Sequence, residues 1–155
     1  MLREGDREAL GDDEGAVASY EKAATLNAER NGAFAAPHVN LSAYYNRIGN
    51  HATALEQARK AIALDPKSDR AWFQKGRAEE RGGDLEAAAE SLNQAIVLNS
   101  RASSYYYVLA GVFRRLGLTD ESRKALEMFK KLDQESAELD KKRRGTSTPP
   151  PKDPK

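Results

Sequence analysis

Apolar side chains recur along this chain at intervals of three and four residues, and no stretch alternates apolar and polar residues as a half-buried strand would. Ala54, Ala58 and Ala61 mark one stripe, Ala88, Leu92 and Ala95 a second, and Ser122, Leu126 and Phe129 a third. Each stripe is the inward edge of a helix, and the residues between stripes say where the helices stop. Pro37, suited to a first helical position, opens a helix to about Ile48. Gly49-Asn50 then turns the chain into a second helix, from about His51 to Leu64, which Asp65-Pro66 breaks. Ser68 can cap the next helix, which runs through Trp72 to Arg81 and turns at Gly82-Gly83, and Asp84 caps another that continues to Leu98. Asn99-Ser100 is a weaker break. Ser104 to Leu116, a turn at Gly117, a Thr119 cap and a helix with no breaker until Gly145 complete the pattern.

These elements repeat. Windows beginning at Ala35, Asp69 and Ser103 lie over one another at a shift of 34 residues. The shift aligns Ile48-Gly49 with Gly82-Gly83 and Leu116-Gly117, and Ala54 with Ala88 and Ser122. The middle window holds Trp72, Gly76, Ala88, Leu92 and Ala95, with Lys75 and Glu79 where Leu and an aromatic are expected and Ser100 in place of Pro. The window before it has Leu41, Tyr45, Ala54, Ala58, Ala61 and Pro66, with His38 at the Trp position and Ser42 at the Gly position. The last offers Tyr106, Leu109, Ala110, Phe113, Leu126 and Phe129. With those residues in phase three times, the chain resembles the tetratricopeptide repeat family, whose helical hairpins bury their apolar faces only by stacking on one another.

The resemblance implies an all-α superhelix, a solenoid of three full repeats over 35–68, 69–102 and 103–144, the last extended into a capping helix. Ahead of them, Gly11-Asp12, Ala16, Tyr20, Ala23 and Leu26 reproduce the turn and second helix of an incomplete unit within 1–34. About four extra residues near Asn31-Gly32-Ala33-Phe34 lengthen its linker. Residues 145–155 are Pro-rich and too poor in apolar residues to join a core, so a disordered tail is expected. Small residues such as Gly76, Ala54 and Ala88 let helix backbones approach, and Trp72, Tyr45 and Phe113 are expected to fill the space beside them.

Composition removes several function classes. The 155 residues carry 25 Lys and Arg against 24 Asp and Glu, a formal charge of +1, which gives no reason to expect nucleic acid. The Lys141-Lys142-Arg143-Arg144 cluster is read as solvated. No Cys means no disulfide, thiolate metal site or cysteine nucleophile. His38 and His51 lack metal-ligand spacing, and no Gly-rich loop ends in Lys-Ser or Lys-Thr, so neither metal nor cofactor nor catalysis is expected. The start is charged without an apolar leader core, and nowhere do 18 apolar residues run together. The expected location is cytoplasmic, or periplasmic or secreted if a leader lies upstream.

What remains is the concave face, which in the family is formed by the first helix of each repeat. The matching positions group as Ala36, Arg70 and Ser104; Val39, Phe73 and Tyr107; Asn40, Gln74 and Val108; Ala43, Arg77 and Gly111; Asn46, Glu80 and Arg114; and Arg47, Arg81 and Arg115. The candidate groove residues are therefore Asn40, Arg47, Arg70, Phe73, Gln74, Arg77, Arg81, Tyr107, Arg114 and Arg115. An arginine ladder beside the apolar stripe Val39, Phe73 and Tyr107 suits a peptide carrying acidic and apolar side chains. Some family members hold a C-terminal carboxylate with a clamp of two Lys, two Asn and one Arg. Here those positions hold Val39, Ala43, Gln74, Ser104 and Val108, so that mode is not expected. The reading is a non-catalytic interaction module. The alternatives are a self-associating array segment, a homo-oligomer through its open N-terminal end, and a regulatory domain cut from a larger enzyme.

Overall fold

A computed structural model describes residues 4–29 and 34–146, which form seven helices and, among the described residues, no strand. They are α1 (Glu4–Glu29), α2 (Ala36–Arg47), α3 (His51–Leu64), α4 (Asp69–Arg81), α5 (Leu85–Leu98), α6 (Ser103–Arg115) and α7 (Thr119–Thr146). Helices α2–α3, α4–α5 and α6–α7 form antiparallel hairpins, and the second helix of each packs on the first helix of the next. The hairpin turns depend on Gly49, Gly83 and Gly117, whose φ angles of 86°, 86° and 78° lie where a Cβ would be strained. Asn50, Ser68 and Asp84 cap as their types demand, each side-chain oxygen accepting from the backbone N–H three residues on, at 3.3, 3.2 and 3.3 Å.

Inside each hairpin the two helices touch at one close crossing, solved three ways. The Ser42 hydroxyl donates to the Ala54 carbonyl at 2.7 Å, and the Ser122 hydroxyl donates to the Ala110 carbonyl at 2.8 Å. At the middle crossing Gly76 stands alone, because a Cβ there would come within 2.8 Å of Leu92 Cγ and 3.3 Å of the Ala88 carbonyl. Ala54, Ala58, Ala61, Ala88, Leu92 and Ala95 are wholly buried around these crossings. Ala35, Val39, Ala61 and Ala71 close the first interface, and Ala88, Leu92, Leu109 and Val112 the next.

Four expectations change. Helix α1 runs without interruption through Gly11-Asp12, where a turn was expected. Residues 4–10 offer only Ala9 and Leu10 as apolar side chains, too little to hold a hairpin shut, so the backbone continues its helical hydrogen bonds. Thr119 is the first residue of α7 rather than its cap, since the Leu118 carbonyl already accepts from Ser122 N–H at 2.9 Å. Helix α7 passes through Gly145 and ends at Thr146; the rest of the Pro-rich tail, from residue 147, and Asn31-Gly32-Ala33 of the linker lie outside the described residues. Trp72 and Tyr45 are half-buried rather than central, while Phe113, also half-buried, packs against the Ala88 and Leu92 cluster as expected. The indole N–H of Trp72 donates to the Pro66 carbonyl at 2.9 Å, and Tyr106, 34 residues on, donates to the Ser100 carbonyl at 3.0 Å. This repeat position straps the loop that enters the second and third hairpins, whereas in the first it is His38, which bonds Gln57 at 2.8 Å.

Candidate functional site

The first helices of the three hairpins carry Arg47, Arg70, Lys75, Arg77, Arg81, Arg114 and Arg115 against only Asp69, Glu79 and Glu80. These three helices together are therefore basic although the whole chain is nearly neutral. A cavity of about 520 Å³ opens between the second and third hairpins, within the range of small ligand sites. Helix α4 supplies Phe73, Arg77 and Glu80 to its wall, and α6 supplies Ser104, Tyr107, Val108, Gly111 and Arg114. Ala110, Ser122 and Leu126 line the end where α6 meets α7.

Four of the expected groove residues meet here: Phe73, Arg77, Tyr107 and Arg114. The Phe73 ring stacks on Tyr105 at 4.6 Å, and the Arg77 guanidinium lies 5.9 Å from the Phe73 centroid. Tyr107 is 58% exposed and leans on Phe129, their ring centroids 5.1 Å apart. Buried Arg77 Nε has no hydrogen-bond partner, and neither Arg77 nor Arg114 forms an ion pair among the described residues. Glu80, by contrast, is engaged from outside by Arg115, 3.9 Å away.

The other candidates stand apart from the cavity. Asn40 accepts a hydrogen bond from Arg70 at 3.5 Å, and Gln74 Oε1 accepts from Asn46 at 2.9 Å. Arg47 stacks 5.5 Å from the Tyr44 ring, Arg81 is exposed, and Arg115 also donates to the Glu80 carbonyl at 3.4 Å. Arg47, Arg81 and Arg115 share a structural cause that their register conceals: each sits in the last turn of its helix, where a cation complements the helix dipole. Val39, expected on the apolar stripe, is buried against Ala61 and Ala71 and does not face the groove.

Sequence reasoning missed the contribution of the second helix, Ser122 and Leu126, and the weight of Gly111. A glycine inside a helix costs about 0.8–1.0 kcal/mol against alanine. Gly76 has a packing reason for being glycine, but a Cβ built on Gly111 meets no atom within 4 Å. Among the described residues no group of His, Cys, Asp or Glu could hold a metal ion, and no helix is long and apolar enough to cross a membrane.

The profile of the tetratricopeptide repeat family matches residues 43–103 and 83–137, more than half of the chain, and the chain belongs to that family. A search of curated proteins finds no match. Among solved structures, a crystal structure of MamA is 29% identical, with a TM-score of 0.69, over 85% of this chain and 75% of that one. MamA from Desulfovibrio magneticus RS-1, from residue 41 to its end, is 20% identical with a TM-score of 0.70, over 83% and 70% of the two chains. The second tetratricopeptide domain of Spaghetti (RPAP3), bound to the HSP90 peptide SRMEEVD, is 20% identical with a TM-score of 0.61, over 63% and 91%.

Proposed function

We propose that this chain is a non-catalytic protein-interaction module whose concave groove holds an acidic, partly apolar peptide segment. The observation that carries this reading is the cavity at Phe73 and Tyr107, where the guanidiniums of Arg77 and Arg114 face an opening without an ion-pair partner of their own. Aromatic faces supply apolar contact area, and paired arginines favour carboxylates by charge and hydrogen bonding. The fold is one on which Spaghetti holds a peptide. This chain lacks clamp residues for a terminal carboxylate, so the favoured ligand is an internal segment bearing side-chain carboxylates.

A peptide array that varies acidic and apolar content tests this reading. Its best binders should weaken about tenfold or more in Arg77→Ala/Arg114→Ala, with a flatter dependence of affinity on salt. Arg47→Ala/Arg81→Ala/Arg115→Ala should cost no more than about threefold, since those charges lie outside the cavity. Binders untouched by the Arg77/Arg114 pair would place recognition elsewhere.

One feature favours a second copy as the peptide's source. The sequence of α1 holds Glu4, Asp6, Glu8, Asp12, Asp13, Glu14, Glu21 and Glu29 against only Arg7 and Lys22, the sign opposite to the groove. Sedimentation at low salt should then show concentration-dependent association that Arg77→Ala/Arg114→Ala abolishes. A monomer at every concentration leaves a different protein as the ligand.

A further inference from the structure

Gly111 is the odd residue of the groove floor. In the same repeat position the first hairpin has Ala43 and the second has Arg77, so neither neighbour uses glycine. Glycine weakens α6 at its centre, yet no turn, positive φ or close helix crossing requires it there. What its missing side chain leaves is open space on the cavity lining that Gly111 shares with Phe73, Tyr107 and Leu126. The same lining carries two cations, Arg77 and Arg114, against one carboxylate, Glu80.

We infer that Gly111 is the specificity-determining residue of the groove, and that its notch receives one bulky aromatic side chain whose flanking residues are acidic. The inference rests on the groove reading above and adds the anchor residue to it. A planar ring of the ligand lies over Gly111 beside the exposed Tyr107 ring and the Phe73–Arg77 pair, with Leu126 at the α7 end of the lining. Carboxylates on either side of it in sequence reach Arg77 and Arg114. Charge draws the segment in, and the notch selects which residue sits at its centre.

Three synthetic peptides test this with the full chain: Ac-Glu-Glu-Trp-Glu-Glu-NH2, the same with Ala for Trp, and the same with Gln for every Glu. Titration calorimetry at low salt should rank the Trp-Glu peptide first. The Ala peptide should bind about tenfold or more weaker, and the Gln peptide should lose its salt dependence. Gly111→Leu fills the notch and should weaken the Trp peptide to the level of the Ala peptide. Gly111→Ala should raise the melting temperature, because the added methyl group enters open space; a lowered melting temperature would show that the fold itself needs this glycine and overturn the inference. Equal binding of the Trp and Ala peptides, both weakened by Arg77→Ala/Arg114→Ala, overturns the anchor and leaves the groove reading standing. Failure of all three peptides to bind, or binding indifferent to those arginines, overturns both.

Discussion

Lys75 and Glu79 depart from the repeat pattern, and the structure shows what the departure does. Their equivalents are Leu41 and Tyr45 in the hairpin before and Leu109 and Phe113 in the one after. Lys75 Nζ lies 3.2 and 3.1 Å from the two Glu79 oxygens and donates to Ser91 Oγ at 3.0 Å, while Ser91 donates to Glu79 at 2.5 Å. The Glu79 side chain is 6% exposed and that of Lys75 20%, so attraction within the pair is set against the loss of two hydration shells. Removing one partner strands the other. Lys75→Ala should therefore lower the unfolding free energy by about 3 kcal/mol in urea melts, and Glu79→Ala by a similar amount. Restoring the neighbours' residue types with Lys75→Leu/Glu79→Phe/Ser91→Ala should match the parent or exceed it by about 1–4 kcal/mol. If that triple variant melts below Lys75→Ala, the cluster stabilises the fold outright. The sequence displayed Lys75 and Glu79 as exceptions but not Ser91 as their third member, because that partnership depends on how α5 is rotated against α4.

Between elements, the second and third hairpins are joined by a contact that titrates. Tyr105 of α6 donates to Asp69 at the start of α4 at 2.5 Å, Asn99 donates to the same carboxylate at 3.2 Å, and the Tyr105 ring stacks on Phe73. Burial, then the adjacent Asp69 carboxylate, pushes the Tyr105 hydroxyl well above the usual tyrosine range. Burial pushes the Asp69 carboxyl up, but the hydrogen bonds from Tyr105 and Asn99 outweigh it and the net shift is down. The two shifts act at opposite ends of the pH scale. A raised tyrosine stabilises the fold below its unfolded pKa, and that contribution is lost as pH rises above about 10. A depressed carboxylate stabilises the fold above its unfolded pKa, and that contribution is lost as pH falls below about 4. Tyr105→Phe keeps the stack and should cost about 1–2 kcal/mol at pH 7, with smaller losses of stability at both extremes. Some alkaline loss should remain, since burial and Glu21 also raise the Tyr45 hydroxyl. A variant whose stability against pH runs parallel to the parent would show that the Tyr105–Asp69 bond is energetically idle.

The molecule as a whole is a chain of nearest-neighbour interfaces, and its two ends are built differently from its middle. Within the stack, Ala89 and Ile96 of α5 pack under α6; one repeat later the same positions are Arg123 and Lys130, both exposed, so the outer face of α7 is suited to water. Helix α7 packs on α6 alone and α1 on α2 alone, whereas α4 is held by α2, α3, α5 and α6. The stacked hairpins were legible in the sequence because Gly49, Gly83, Gly117 and the buried alanines keep one phase, and a phase is a linear property. The concave site was legible only in part. Of the residues that register gathers, Phe73, Arg77, Tyr107 and Arg114 line the cavity, whereas Arg47, Arg81 and Arg115 stand in the last turns of their helices. Register could not show that Val39 turns inward, or that Leu126 reaches the groove from a second helix. The unequal support of the ends sets the last expectation. Beyond Leu132, Glu135 of α7 pairs with Arg101 at 3.0 Å, an exposed pair that contributes about 0–1 kcal/mol. Amide exchange should therefore be fastest in α1 and in residues 137–146 and slowest in α4, α5 and α6, since a helix with one neighbour can open without the array. Ending the chain after Ser136 should leave the melting temperature within about 2 °C of the parent, while ending it after Leu118 removes the Ser122–Ala110 crossing and the Phe129 ring from Tyr107 and should abolish the cooperative melt. Uniform protection from α1 to Thr146, or a large drop in melting temperature from the shorter deletion, would mean that the ends are coupled to the stack by more than the contacts seen here.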